Sequence, residues 1–283
     1  MENIREITTD NAKGGTILNS RHFDQVRQIL YDNAGIKIAD HKKQLVENRL
    51  SKRLKDLNLK TFDDYFKRLD GQRLADELVH LVNVLTTNVT YFYRESHHFD
   101  HLQNSFLSEI KKGKTRFRIW SAGCSAGAEP YSAAISLVET MNKLNKTCDL
   151  KILATDIDTL TLARARKGEY KGDNIRGLSK PYLEKYFNKN TNTETYRVKD
   201  TIRRYVFFNY LNLNDEKWPM AGPFDYIFCR NVLIYFDRPK QDEFMQKMLP
   251  LLKPGGHLYL GHSEHSVTTN YGLKTLGQTT YEK

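Results

Sequence analysis

Trp120-Ser121-Ala122-Gly123-Cys124-Ser125-Ala126-Gly127-Ala128-Glu129-Pro130-Tyr131 is the stretch on which the fold turns. It overlaps a short run, Phe117-Arg118-Ile119-Trp120, that reads as a strand. A Gly/Ser turn follows, and then a helix from Pro130 to about Leu144. Strand, glycine turn and helix make the opening unit of an α/β sheet, where a glycine lets a ligand approach the backbone closely. The full G-x-G-x-x-G of dinucleotide binders and the lysine of a P-loop are both missing, so neither NAD nor ATP is supported. Taken alone, the segment can also be read as a tight turn with no ligand.

Downstream, strands and helices alternate. Leu150–Ala154 is a strand ending in Thr155-Asp156, followed by a helix over about Thr159–Lys167. Phe224–Cys229 is a further strand, Pro239 to about Leu252 is helical, and His257–Leu260 is a late strand after Pro254-Gly255-Gly256, a turn expected to shape the sheet edge. This predicts a mostly parallel sheet. Residues 170–206 interrupt it with a short helix (Ser179–Phe187), a polar loop, and the runs Tyr196–Val198 and Arg204–Phe208, which read together as a small antiparallel β insertion.

Upstream, the periodicity is helical. Phe23, Val26, Leu30 and Tyr31 recur at helix spacing. Asp40 is placed to cap a helix through Leu57, Asn58 to end it, Thr61 and Asp64 to form a capping box, and Leu74–Leu85 is a fourth helix. The expected organisation is a mobile tail (1–18), an all-α domain (19–88) and an α/β domain (89–283).

The 283 residues are 39% apolar and 28% charged, as in a globular protein. No apolar run approaches the roughly 18–20 residues that span a bilayer, and the polar N-terminus has no signal-peptide pattern, so a cytoplasmic protein with no membrane insertion is expected. Cys124, Cys148 and Cys229 are odd in number and widely spaced, which fits neither a disulfide framework nor a zinc site. His97-His98 could suggest a metal, but adjacent helical side chains are expected to diverge, and no metal is assigned. Net charge is +10, from 44 basic and 34 acidic residues, which favours an acidic partner. The excess is concentrated: seven Lys/Arg in residues 41–60, and twelve against five acids in 161–206.

Asp156, 33 residues beyond Gly123, ends the second strand of the α/β region. An acid there can accept hydrogen bonds from both ribose hydroxyls, and Asp158 is the better helix cap, which leaves Asp156 for a ligand. Turn and acid together point to a nucleoside at the carboxyl ends of the strands.

Eight strings then follow in order: Ala39-Asp40-His41-Lys42, Leu85-Thr86-Thr87-Asn88-Val89-Thr90, Phe92-Tyr93-Arg94-Glu95, Gly123-Cys124-Ser125, Glu129-Pro130-Tyr131-Ser132, Thr155-Asp156-Ile157-Asp158, Phe228-Cys229-Arg230-Asn231-Val232-Leu233-Ile234-Tyr235-Phe236 and Gly261-His262-Ser263-Glu264. With them the chain resembles the chemotaxis protein methyltransferases, the CheR family, over about residues 20–281. The resemblance implies a Rossmann-like class I methyltransferase domain, S-adenosylmethionine as donor with S-adenosylhomocysteine as product, and methylation of receptor glutamates. Donor-binding positions carried over are Asn88, Thr90, Arg94, Gly123, Glu129 (to the methionine ammonium), Asp156 (ribose), Asn212 and Leu213 (flanking adenine), Arg230 and Asn231. Arg94 and Tyr235 are the positions expected to steer the incoming carboxylate. One departure is Ala128 where the family usually has a first glutamate.

A carboxylate acceptor is already ionised near neutral pH, with a reference pKa of about 4.3, so no general base is required. Lys42, Arg49 and Arg53 fall within about 40° on a helix advancing roughly 100° per residue, and Lys52 and Lys55 extend the patch. That basic face suits glutamate-rich receptor helices. Some family members also bind a receptor's C-terminal pentapeptide tether through a glycine-containing hairpin loop. Here Asn188–Glu194 has no glycine, so tether binding is not expected. Two other classes remain: a nucleic-acid methyltransferase, which lacks its Asn/Asp-Pro-Pro-Tyr motif here, and a donor-binding sensor without turnover.

Overall fold

The structure, a computed structural model, describes residues 17–69, 72–268 and 271–283. Most of the expected tail, 1–16, lies outside the described residues. The chain divides into two compact units, one up to Thr86 and one from Thr87 onward.

The first unit is helical: α1 (Ser20–Ala34), α2 (Lys43–Asp56), α3 (Phe62–Arg68) and α4 (Gln72–Leu85). Asn19 caps α1 through its side chain, and Gly35 closes it in the left-handed conformation at φ 70°. Asp40 does not cap α2. It opens a short 3-10 turn, and its carboxylate instead accepts from Arg27 at 2.6 Å. Thr61 does cap α3, with Asp64 N–H donating to its hydroxyl at 3.0 Å. Phe23, Val26, Leu30, Val46, Leu50, Leu54, Phe62, Tyr65, Leu81 and Val82 are buried as the core of this unit.

The second unit opens with α5 (His97–Lys111), then β1 (Arg116–Ala122), α6 (Ala128–Lys143), β2 (Asp149–Asp156) and α7 (Thr159–Lys167). β3 (Glu169–Tyr170), α8 (Lys180–Tyr186), β4 (Phe187–Asn190), β5 (Thr195–Val198) and α9 (Asp200–Arg203) follow. The chain ends with β6 (Val206–Tyr210), β7 (Phe224–Cys229), α10 (Arg238–Met248), β8 (Leu252–Leu260), β9 (Lys274–Gly277) and β10 (Thr280–Glu282). The main sheet has the order β6-β2-β1-β7-β8-β10-β9. From β6 to β8 neighbours are parallel; β10 and β9 add antiparallel. β6 to β8 and the helices between them form the expected α/β unit with a mostly parallel sheet.

Three details differ from the sequence reading. The run Arg204–Phe208 does not belong to the insertion: Val206–Tyr210 joins the main sheet parallel to β2, and the insertion is β3-β5-β4. An apolar run flanked by polar turns has the same appearance in either sheet. Strand β8 begins at Leu252 and lies inside the sheet, so Pro254-Gly255-Gly256 does not mark its edge. The outer strand β9 is exposed at all four positions and therefore carries no alternating pattern. Finally, α5 lay unassigned, although His98, Phe99, Leu102, Phe106 and Ile110 form its buried stripe.

Candidate functional site

The carboxyl ends of β1, β2 and β7 gather most of the predicted donor-site residues. At the turn after β1, the N–H groups of Gly123 and Cys124 both donate to Thr155 O, at 2.8 and 2.9 Å. Gly123 has φ +71°, and a Cβ there would lie 2.3 Å from Val232 Cγ2. Glycine is thus required twice over, for its conformation and for the packing of the β7 loop against it.

Asp156 is buried at the end of β2. One carboxylate oxygen accepts from Ser125 N–H at 2.7 Å and the other from Asp158 N–H at 2.9 Å. Asp158 caps α7 through Thr161 N–H at 2.8 Å, as the sequence suggests, and also accepts from Asn88 Nδ2 at 2.6 Å. Asp156 is therefore anchored to the glycine turn by Ser125 N–H and to the start of α7 by Asp158 N–H, while the remaining lone pairs of its carboxylate can still accept from a diol. Burial pushes its carboxyl up to about 6, against the pull of those N–H groups. Leu211 N–H donates to Asp156 O at 3.1 Å, which brings the start of the β6–β7 loop, with Asn212 and Leu213, beside it. Both residues are buried.

A second cluster lies where β7 ends. The Arg230 side chain, 2% exposed, pairs with Glu129 at 3.0 Å and Glu95 at 3.3 Å, and it also donates to the Arg94 carbonyl. Glu129 accepts from Ser121 Oγ at 2.7 Å. Burial raises the Glu129 carboxyl, and the Arg230 charge opposes that shift. Two carboxylates around one guanidinium leave a net charge of about −1 in a low-dielectric place, which suits an ammonium group. Arg230 Nε is buried without a hydrogen-bond partner, so the cluster keeps polar capacity for a ligand. Arg94 donates to Val89 O at 3.0 Å. Thr90 lends its carbonyl to Asn174, at 3.2 Å. Tyr235 Oη reaches the Thr87 carbonyl at 3.5 Å.

The adjacent histidines do not diverge. Both Nε2 atoms face the Gln278 carbonyl, at 3.1 and 3.0 Å, because that carbonyl lies across the first turn of α5. With Glu95 they bring one possible ligand atom each within 4.8 Å of one another. Arg230, however, already supplies a positive charge at Glu95. Burial, with Arg230 nearby, lowers His98 to about 3.

Of the basic patch on α2, the structure turns two members inward. Arg49 donates to the carbonyls of Val84, Leu85 and Thr86 at 3.2, 3.0 and 2.8 Å and so closes the end of α4. Arg53 makes a two-pronged bond to Glu77, at 2.8 and 2.7 Å, and Tyr65 Oη joins Glu77 at 3.0 Å. Although burial works against it, these two partners hold the Glu77 carboxyl below its ordinary value. Lys52 and Lys55 are exposed, and Lys42 is half-buried in the 3-10 turn before α2. A helical wheel gives direction but not reach, and the two long arginines fold back onto their own domain.

The sequence reading gave no role to Ser121, Ser125, Glu95 or Glu264. The first two lie inside the quoted turn, and Glu95 and Glu264 end strings used for the resemblance, so their positions were marked even though their contacts were not. Glu264 is 1% exposed and is surrounded by backbone N–H groups.

The sheet order, the glycine turn after β1 and the acid at the end of β2 belong to a chain whose similarity to known proteins makes it an S-adenosylmethionine-dependent methyltransferase. The profile of the CheR methyltransferase all-alpha domain matches residues 21–86, and that of the CheR methyltransferase SAM binding domain matches 88–281. The chemotaxis protein methyltransferase of Escherichia coli K12 is 40% identical over 266 residues, covering 93% of this chain and 91% of that protein. Chemotaxis protein methyltransferase 2 of Pseudomonas aeruginosa PAO1 is 42% identical over 261 residues, 92% and 91% of the two chains. The corresponding protein of Borreliella burgdorferi is 40% identical over 261 residues, 90% and 92%. The chain belongs to the CheR methyltransferase family.

Proposed function

We propose that this protein transfers the methyl group of S-adenosylmethionine to glutamate side chains of bacterial chemoreceptors, forming methyl esters. The observation that carries the donor side of this reading is the net-negative Glu95–Arg230–Glu129 cluster, whose Glu129 follows the turn residue Ser125 that is bonded to Asp156. S-adenosylmethionine supplies an electrophilic methyl on a sulfonium sulfur. The ammonium of its methionine part would meet Glu129, Asp156 would accept from the ribose hydroxyls, and Asn212 and Leu213 would flank the base. Gly123, Asn88, Thr90, Arg94, Arg230 and Asn231 complete the proposed donor site.

In the transfer, a glutamate oxygen forms a bond to the methyl carbon as the carbon–sulfur bond breaks. The acceptor is ionised, so the chain need only align it and keep water out. Arg94 and Tyr235 are the proposed steering groups, and no metal has a part in this displacement. The receptor side of the proposal rests on exposed Lys52 and Lys55, with Lys42, as the basic face toward glutamate-rich helices. Among the described residues no helix is long and apolar enough to cross a membrane, which fits a protein recruited to receptors from the cytoplasm.

Tether binding is not part of the proposal. In the β4–β5 hairpin the left-handed position is taken by Glu194 at φ 51°, and Asn188–Glu194 contains no glycine. Titrating a receptor C-terminal pentapeptide should give no micromolar binding; a micromolar isotherm would reverse this part.

The decisive experiment is radiolabelled methyl transfer to receptor-containing membranes, followed by mild base. Base-labile release as methanol is the expected result. Label that survives base in nucleic acid or an amide would replace the acceptor class. Donor binding with no transfer would make the protein a sensor.

A further inference from the structure

The loop after β7 carries four successive N–H groups that converge on one side chain. Glu264 Oε1 accepts from Val232, Leu233 and Ile234 at 2.8, 2.7 and 3.3 Å. Its Oε2 accepts from Asn231 at 2.9 Å and from Gly261 at 2.5 Å. Asn231 has φ +59° and Val232 lies at φ −115°, ψ −47°. A left-handed residue beside an αR one turns successive N–H groups to the same side and makes a concave anion site. Here the anion is internal. Gly261 is shaped to fit it: a Cβ there would lie 2.5 Å from Asn231 Nδ2 and 2.7 Å from Glu264 Oε2.

The loop that Glu264 holds is functionally loaded. Asn231 is a proposed donor contact. Val232 packs on Gly123, the glycine of the donor turn. Leu233–Tyr235 is the 3-10 turn that ends in the proposed steering tyrosine. A loop with a left-handed non-glycine residue and four N–H donors on one side has little reason to keep this shape unless those donors are satisfied.

We infer that Glu264 is a positioning residue for methyl transfer: its carboxylate fixes the Asn231–Tyr235 loop so that Asn231 meets the donor, Val232 seats the glycine turn and Tyr235 faces the acceptor. The inference rests on the proposed placement of the donor beside Asn231. The chemistry required is specific. Five N–H donors need an acceptor on both oxygens, which a carboxylate offers and an amide does not. Glutamine at this position would aim its NH₂ at two or three backbone N–H groups and push the loop away.

The test compares wild type, Glu264→Gln and Glu264→Asp in S-adenosylhomocysteine affinity by calorimetry, in kcat and KM for donor and receptor, and in melting temperature. Aspartate keeps the charge but retracts it by about one carbon–carbon bond, ~1.5 Å. We expect the product's Kd and the donor KM to rise about tenfold or more in Glu264→Gln, and kcat to fall as well because Tyr235 is displaced with the loop. Glu264→Asp should lie between the two. A carboxylate that only stabilised the fold would lower the melting temperature and leave the donor KM of the folded enzyme unchanged. Donor affinity within about twofold of wild type in a folded variant, or loss of fold in both variants, overturns the inference. If wild type itself fails to bind the product, it is the proposed donor site that fails, so the two outcomes are distinct.

Discussion

Asp156 is asked to do two opposed things. In the proposed donor site its carboxylate must be ionised to accept from both hydroxyls of a diol, yet burial raises its pKa to about 6. The sign follows from which state binds the proton. A folded value above the unfolded one means that the native enzyme takes up a proton on acidification before the unfolded chain does, so this group stabilises the ligand-free fold as pH falls from about 7 toward 4. Donor binding changes in the other direction. Below pH 6, S-adenosylhomocysteine affinity should fall by about tenfold per pH unit, with Glu129, whose carboxyl burial also raises, adding to the slope. Calorimetry from pH 7.5 to 5 checks this. In Asp156→Asn the affinity should be weaker throughout and the slope shallower; an identical slope would show that Asp156 is not the titrating group. Glu129→Gln provides the complementary case. It leaves Arg230 with Glu95 alone, removes the net negative charge, and should weaken product binding by about 10²-fold.

On the scale of the element, α2 separates what a charged helix does for its own domain from what it offers a partner. Arg53→Ala breaks a two-pronged, largely buried pair and leaves Glu77 with Tyr65 alone, which should lower stability by about 2–4 kcal/mol. Thermal unfolding would show it; a melting temperature within a degree of wild type would mean the pair is solvated. Lys52→Glu with Lys55→Glu should leave melting temperature and product affinity unchanged and raise receptor KM about fivefold, and unchanged receptor kinetics would remove the patch from recognition. Helix α2 also shows what sequence can carry. Its apolar stripe, Val46, Leu50 and Leu54, was legible because burial repeats with the helix period. The destination of each arginine was not, since a long side chain ends several ångströms from its Cβ and its partner lies some 24–37 residues away. The same contrast runs through the site. Gly123 and Asp156 were readable because strand ends and turns set them in place, and Glu129 only through the family resemblance. The Arg230 cluster, the five donors on Glu264 and the shared carbonyl of His97 and His98 depend on elements far apart in sequence. Val206–Tyr210 was misassigned for a related reason: strand pattern reveals an element but not its neighbour.

Across the whole molecule, the net charge of +10 and the burial of the proposed donor site predict that ionic strength will separate the two substrates. The basic clusters at residues 41–60 and 161–206 are largely surface groups. A charge in water is screened over a Debye length of about 10 Å at 0.1 M salt and about 3 Å at 1 M. Recognition of an acidic helix through such groups should therefore weaken steadily with added salt. The proposed donor contacts behave differently. Asp156 and Arg230 are buried, and buried charges are screened far less. Raising sodium chloride from 50 to 500 mM should thus increase receptor KM by about fivefold or more while S-adenosylhomocysteine affinity stays within about twofold. In Lys52→Glu with Lys55→Glu, the salt response of receptor KM should be flatter than in wild type, because part of the attraction being screened is already gone. Parallel loss of product affinity and receptor affinity with salt would place the donor's charged contacts in solvent. A receptor KM indifferent to salt would leave the positive charge of this chain without a part in substrate choice.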